Sequence, residues 1–113
     1  MERIEKPWGY EIIWAKTDKY VGKILHINKG QRLSLQYHNV KDETIMVLSG
    51  ELILTYGNNW DDMLSRIYCS GEPFHIPAKL IHRMEGQTDC DVLEVSTPEL
   101  ADVVRMQDDY KRI

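Results

Sequence analysis

The chain has 113 residues, a formal net charge of −4 and enough hydrophobic residues, 42%, to form one core, so we expect a single domain spanning residues 1–113. The acidic balance gives no support to nucleic-acid binding, and no apolar stretch approaches the roughly 18 residues of a membrane span. The first residues lack the apolar segment of a secretory signal. The two cysteines, Cys69 and Cys90, have no metal-like spacing. We therefore predict a cytoplasmic protein with reduced thiols.

The dominant pattern along the chain is the alternation of apolar and polar residues, which is typical of half-buried β-strands. The predicted strands are, in chain order, residues 23–27, 32–38, 44–48, 51–56, 66–69, 74–76, 81–84 and 92–95. Because only Ser49 and Gly50 separate the third strand from the fourth, we predict that these two strands pair as a hairpin. A turn at 57–59 is expected to continue into a loop at 60–62, and helix is expected only around residues 98–102.

Many short strands broken by glycine and asparagine turns indicate an all-β sandwich or closed barrel. The open edges of such a fold carry unpaired backbone groups, which favours a homodimer.

Four side chains with oxygen or nitrogen donors lie on separate predicted segments. Gln36 and His38 are two residues apart on one strand, so they face the same side. Glu43 opens the next strand, and His82 lies on a later one. This donor set suits Zn, Mn, Fe, Co or Ni better than a soft metal, and the absence of a thiolate disfavours a closed structural zinc site. By spacing alone, ordinary strand residues with no ligand role are an open alternative.

The glycines around these donors give the chain a resemblance to the cupin superfamily. Residues at the positions of the first cupin motif are Gly30, Gln36, His38, Glu43 and Gly50, and those of the second are Gly71, Pro77 and His82. Glutamine replaces the usual first histidine. The resemblance implies a jelly-roll β-barrel that binds one divalent metal ion through Gln36, His38, Glu43 and His82.

Other segments are similar to the cupin domain of type II mannose-6-phosphate isomerases. They are the start at 6–11 (KPWGYE), the strand at 32–38 (RLSLQYH) and the tail at 102–110 (DVVRMQDDY). In those proteins the domain follows a guanylyltransferase domain. No glycine-rich nucleotide-binding segment is present here, so transferase activity is not expected. The resemblance implies metal-dependent interconversion of mannose 6-phosphate and fructose 6-phosphate, with a small sugar phosphate as the partner.

Two residues are candidates for proton transfer. A lysine occupies the position of Lys23 in the isomerase-like relatives, and a lysine desolvated inside a barrel can act as base or acid. Glu94, on a later strand, is the second candidate. The alternative for each is an ordinary strand residue that faces solvent.

Phosphate binding requires cations, and arginine suits bidentate contacts. Arg32 and Ser34 share the strand parity of Gln36, which predicts that they lie at the inner rim of the barrel. Arg105 belongs to the isomerase-like tail and is predicted to fold over the mouth. Arg83 has the opposite parity to its neighbour in the second motif, so we expect it to point outward.

The chain departs from the family near the expected mouth of the site. Asn39, Val40 and Lys41 replace histidines, and Lys79 replaces a turn glycine. Two alternatives stay open. One is another metal-dependent cupin enzyme such as an iron dioxygenase, against which the glutamine ligand argues. The other is a non-catalytic sugar- or carboxylate-binding cupin.

Overall fold

The computed structural model describes all 113 residues as two antiparallel β-sheets without a helix. The strands are β1 (Glu2–Lys6), β2 (Gly9–Lys16), β3 (Val21–Ile27), β4 (Leu35–Tyr37), β5 (Glu43–Ser49), β6 (Leu52–Asn59), β7 (Asp62–Tyr68), β8 (Pro73–Ile76), β9 (Ile81–Gly86), β10 (Cys90–Ser96) and β11 (Val104–Gln107). The six-stranded sheet has the order β1-β2-β3-β10-β5-β8, and the five-stranded sheet has the order β11-β4-β9-β6-β7. The prediction of an all-β fold is confirmed.

The hydrophobic core lies between the two sheets because the strands bury alternate residues. On β10, for example, Cys90, Val92 and Glu94 are buried, whereas Asp91 and Leu93 are more exposed. The core cluster contains 13 buried residues: Trp8, Leu25, Ile27, Leu33, Ile45, Val47, Leu52, Leu54, Tyr68, Ile76, Met84, Cys90 and Val92. Both sheets contribute to it, so burial of their inner faces holds the two sheets together.

The interior changes from apolar to charged along the strands. Leu25 on β3 lies opposite Val92 on β10, which in turn lies opposite Val47 on β5. One inward-facing step further along, Lys23 lies opposite Glu94. One end of the space between the sheets is therefore a packed core, and the other end collects ionisable groups.

The predicted hairpin of the strands at 44–48 and 51–56 is wrong. In the structure β5 pairs with β10 and β8 in one sheet, whereas β6 pairs with β7 and β9 in the other. Gly50, with φ of 79°, turns the chain from one sheet to the other. A Cβ atom at this position would lie 2.2 Å from the Asp89 carbonyl oxygen. The turn therefore requires glycine for close approach and for its backbone conformation.

Two further expectations are corrected. Residues 98–102 form hydrogen-bonded turns instead of helix, with the Leu100 amide donating to the Pro98 carbonyl at 2.8 Å. The expected loop at 60–62 is a tight turn, because β6 continues to Asn59 and β7 begins at Asp62.

Strands β1, β2 and β11 add to the predicted set. Strand β11 pairs with β4 and brings the C-terminal segment onto the five-stranded sheet. The outer strands of the two sheets, β1, β8, β11 and β7, have free edges, which is the feature behind the homodimer prediction. The structure has no helix with the length and hydropathy needed to cross a membrane.

Candidate metal centre

A cavity of about 230 Å³ opens at the charged end of the barrel. Its polar lining includes Glu11, Lys23, Ser34, Gln36, His38, Lys41, Glu43, His82, Glu94 and Arg105. Both sheets supply these residues, which lie far apart in the chain. The cavity therefore brings together every predicted site residue except Arg32.

Three of the predicted ligands form a compact cluster. One ligand atom from each of His38, Glu43 and His82 lies within 4.8 Å of the others, and the imidazole centroids are 5.1 Å apart. All three residues are buried. Gln36 lies opposite His82 in the pairing of β4 with β9 and lines the same cavity, so its role as a fourth ligand stays a prediction.

Backbone carbonyls orient both imidazole rings. Nδ1 of His38 donates to the Asp102 carbonyl at 2.6 Å, and Nδ1 of His82 donates to the Leu80 carbonyl at 3.0 Å. Since a carbonyl only accepts, Nδ1 of each ring carries a proton, and the neutral form of such a ring has its lone pair on Nε2, the atom that can bind a metal. Burial lowers the pKa of His82 and so favours its neutral form. Histidines fixed in this way are typical of metal ligands.

The Glu43 carboxylate is ionised within this cluster. Burial opposes its ionisation, but His38 and the Lys41 ammonium outweigh burial and hold the pKa of Glu43 at about 2. Its Oε2 atom lies 3.2 Å from Nε2 of His38, yet accepts no hydrogen bond of good geometry. The Lys41 ammonium, 3.1 Å from the same Oε2 atom, compensates part of this buried charge. Two imidazole nitrogens and one carboxylate oxygen that converge within 4.8 Å are a donor set that fits a divalent metal ion.

Lys41 is a site residue that the sequence analysis missed. Its ammonium lies 3.1 Å from Oε2 of Glu43 and 3.3 Å from Oε2 of Glu94. Burial disfavours its charge, but the carboxylates of Glu94 and Glu43 outweigh burial and raise the pKa of Lys41. The sequence placed it near the expected mouth only as a departure from the family pattern, without a role. The available signal was its spacing of two from Glu43, which places both on one face of an extended chain.

The candidate proton-transfer residues face each other on neighbouring strands. Lys23 lies opposite Glu94 in the pairing of β3 with β10, and its ammonium is 3.3 Å from Oε1 of Glu11. Glu94 is buried, and burial together with the nearby Glu43 charge raises its pKa. Glu11, also buried, is a second cavity residue that the sequence analysis did not select.

Only two of the three predicted phosphate-binding residues lie in the cavity. Ser34 and Arg105 line the cavity, and Arg105 lies opposite Gln36 in the pairing of β11 with β4. Arg105 has no carboxylate partner within ion-pair distance, whereas Arg112, the other arginine of the lining, binds Asp108 at 2.7 Å. Arg105 therefore offers a free guanidinium to the cavity.

Arg32 does not lie at the inner rim. Gln36 pairs with His82, and Arg32, four residues earlier, forms an isolated bridge with Glu85, which is only three residues after His82. The pairing register therefore shifts by one residue between Gln36 and Arg32. This shift places Arg32 on the opposite face, where its guanidinium donates to Asp109 at 2.6 and 2.9 Å.

The prediction for Arg83 is also corrected. It points away from the cavity but is 6% exposed, because the C-terminal segment covers it. Its Nε donates to the Leu33 carbonyl at 2.9 Å, and Nη2 donates to the Gln107 carbonyl at 3.3 Å. The side chain of Arg83 thus lies outside the cavity, as its strand parity predicted, but it is buried beneath the C-terminal segment and not solvent-exposed.

Asp102 connects the C-terminal segment to the centre. Its carboxylate accepts the backbone N–H groups of Lys41, Asn39 and Val40 at 2.9, 3.0 and 2.7 Å. These bonds lower the pKa of Asp102 to about 2. Because its carbonyl also accepts a hydrogen bond from Nδ1 of His38, Asp102 positions both a candidate ligand and the chain that leads to Lys41.

Comparison with known proteins places the chain in a family. Residues 1–109 match the family model of the mannose-6-phosphate isomerase C-terminal domain. Mannose-1-phosphate guanylyltransferase of Escherichia coli K12 is 31% identical over 116 residues, which cover 97% of this chain and 23% of that protein. The chain thus spans about a quarter of the length of the curated relatives it matches.

Solved structures support the fold. KdgF from Halomonas sp. superposes with a TM-score of 0.77 at 16% identity, covering 89% of this chain and 91% of that one. A variant of Bacillus subtilis oxalate decarboxylase gives a TM-score of 0.80 at 12% identity, covering 93% of this chain and 30% of that one. The fold is therefore the predicted cupin jelly roll, and the chain belongs to the family of mannose-6-phosphate isomerase C-terminal domains.

Proposed function

We propose that the chain is a metal-dependent aldose–ketose isomerase acting on a sugar phosphate, with mannose 6-phosphate and fructose 6-phosphate as the interconverted pair. The observation that supports this most is one cavity that combines three elements. These are the cluster of His38, Glu43 and His82, the opposed Lys23 and Glu94, and the free guanidinium of Arg105. Isomerisation of a sugar phosphate needs a group that stabilises negative charge on the reacting oxygens, residues that transfer protons and a cation that binds the phosphate.

The metal centre has a defined part in this proposal. A divalent ion held by Gln36, His38, Glu43 and His82 would supply Lewis acidity that stabilises negative charge on the substrate oxygens. The protein contributes the orientation of the two imidazoles through the Asp102 and Leu80 carbonyls.

In this proposal, Lys23 and Glu94 carry out proton transfer. Conversion of an aldose to a ketose removes a proton from C2, returns a proton to C1 and moves the hydroxyl proton from O2 to O1, so no other reactant is consumed. The raised pKa of Glu94 makes its carboxylate a stronger base than an exposed glutamate. The Lys23 ammonium, 12% exposed, is a donor for the hydroxyl proton. Lys23 and Glu94 are thus the residues through which the protons would pass.

In this proposal, Arg105 on β11 orients the substrate. The guanidinium of Arg105 suits the bidentate recognition of a phosphate oxygen pair. Binding the phosphate at this residue, on β11, leaves the other end of the sugar to reach His38 and His82 inside the barrel.

The deciding experiment measures metal content and turnover together. Purified protein is assayed for bound metal and for conversion of mannose 6-phosphate in a coupled assay, with and without chelator. Chelator-sensitive turnover that falls about a hundredfold or more in Lys23→Met or Glu94→Gln, but not in the exposed-lysine control Lys29→Met, is the expected result.

Other results separate the alternatives. Bound metal without conversion of the sugar phosphate contradicts the isomerase and directs the search to oxygen chemistry or to plain sugar binding. Turnover that survives complete removal of the metal contradicts the metal dependence.

A further inference from the structure

A buried lysine shares a carboxylate oxygen with the candidate metal centre. Lys41 lies in the connection between β4 and β5 but is only 6% exposed. Its Nζ atom is 3.1 Å from Oε2 of Glu43, the same atom that lies 3.2 Å from Nε2 of His38. A metal ion bound by His38 and Glu43 would therefore share its carboxylate ligand with an ammonium group.

The same ammonium also contacts Glu94, at 3.3 Å. Glu43 and Glu94 are 2% and 4% exposed, and two buried carboxylates repel each other unless a cation lies between them. Lys41 supplies that cation. It also binds Glu94, so that this second buried carboxylate of the cavity is not free.

A positive charge in this position opposes a divalent ion, because like charges repel strongly where water is excluded. A lysine with a purely structural role would hold Glu43 in place, and its loss would weaken metal binding. A lysine that competes for the carboxylate would have the opposite effect. The two roles are therefore separable by one measurement.

We propose that Lys41 is a resident cation that weakens divalent-metal binding at Glu43 and keeps Glu94 from becoming a further ligand, which leaves ligand positions for substrate oxygens. The inference rests on the metal-binding part of the proposed function and not on the isomerase activity. It assigns Lys41 as a positioning residue that sets how strongly, and with how many carboxylates, the protein holds its ion.

The test is the dissociation constant for Mn²⁺ and for Zn²⁺, measured by competition with a chelator. Lys41→Met is expected to bind each ion at least about tenfold more tightly than the wild type. Lys41→Arg, which keeps the charge, should stay within about threefold of the wild type, and the double variant Lys41→Met/Glu94→Gln should lose part of the gain. Lys29→Met, which removes an exposed lysine, is the matched control.

A second variant covers the case in which Lys41→Met does not fold, as judged by circular dichroism and thermal unfolding. Glu94→Gln leaves Glu43 as the sole carboxylate partner of Lys41, so it should weaken binding of Mn²⁺. Unchanged or tighter binding in that variant overturns the inference, as does weaker binding in a folded Lys41→Met. A wild-type protein that binds neither ion overturns the metal centre itself, and the inference with it.

Discussion

Replacement of His82 by alanine is the sharpest test of the metal centre. The imidazole is 1% exposed, and its Nδ1 is bound to the Leu80 carbonyl. Removal of the ring deletes one of the three clustered donors without touching His38 or Glu43. Metal affinity and turnover are expected to fall together.

The size of the effect follows from the hydrogen-bonding arrangement. Loss of a partner that merely orients a metal-bound histidine costs about ten- to a hundredfold in affinity. Loss of the ligand itself should therefore lower the metal affinity by more than about a hundredfold, or about 2.8 kcal/mol at 1.4 kcal/mol per factor of ten. The substitution should cost about 1–3 kcal/mol of folding free energy, within the roughly 5–15 kcal/mol of a typical domain.

The chain contains a matched control for this experiment. The His75 side chain is 58% exposed and bonds to Asp42 at 2.9 Å, outside the cavity. Chelator competition and the coupled assay are run on His82→Ala, His75→Ala and wild type. Equal metal affinity in the two variants, or activity of His82→Ala after its metal is lost, would refute the reasoning.

Three further predictions concern the mouth and the tail. Arg105→Met should raise KM for mannose 6-phosphate at least about tenfold, because a charge-assisted hydrogen bond contributes about 1.5–3 kcal/mol, while metal affinity stays constant; an unchanged KM would exclude Arg105 from phosphate binding. The folded pKa of Asp102, about 2, lies below its ordinary value of 3.8, so its contribution to stability is full above that value and is lost as the pH falls toward 2. Urea unfolding of Asp102→Asn between pH 2 and 6 should show a weaker acid dependence than wild type, and identical profiles would argue against it. Lys79 has φ of 76°, and a left-handed conformation costs a non-glycine residue about 1–2 kcal/mol, against about 0.5–1 kcal/mol for the greater chain entropy of glycine. Lys79→Gly should thus be more stable by up to about 1 kcal/mol in urea unfolding, and a clear loss of stability would show that the contact of its ammonium with Asn39 outweighs the strain.

Local patterns in the sequence predicted the strands well where one face is buried. Alternation identified β3, β5 and β10, and the structure places the two candidates for proton transfer on these strands, Lys23 and Glu94, in the cavity lining. The partner of each strand was less accessible, because a serine–glycine turn serves equally for a hairpin and for a crossing between sheets. The hairpin prediction for β5 and β6 was wrong for that reason.

The residues of the candidate site likewise include some that local sequence patterns identify and some that depend on strand pairing. His38, Glu43 and His82 were recognisable because their spacing repeats a known motif. Arg32 was misplaced because a one-residue shift in pairing reverses strand parity, and no local pattern reveals such a shift. Lys41 was overlooked because a lysine in a connection is ordinarily solvated. Its burial depends on Glu94, a contact between residues that only the complete fold brings together.

The bond from His38 to the Asp102 carbonyl spans 64 positions of sequence, and this separation bears on the order in which the fold and the candidate metal centre form. Contacts between distant parts of a chain form late in folding, because they must first overcome the entropy of closing a long loop. Both sheets and the C-terminal segment must be docked before the His38 ring is held in place. The centre is therefore the product of a folded barrel rather than its nucleus, in contrast to small zinc domains that fold only around their metal. A chelator is therefore expected to remove a bound ion without unfolding the jelly roll.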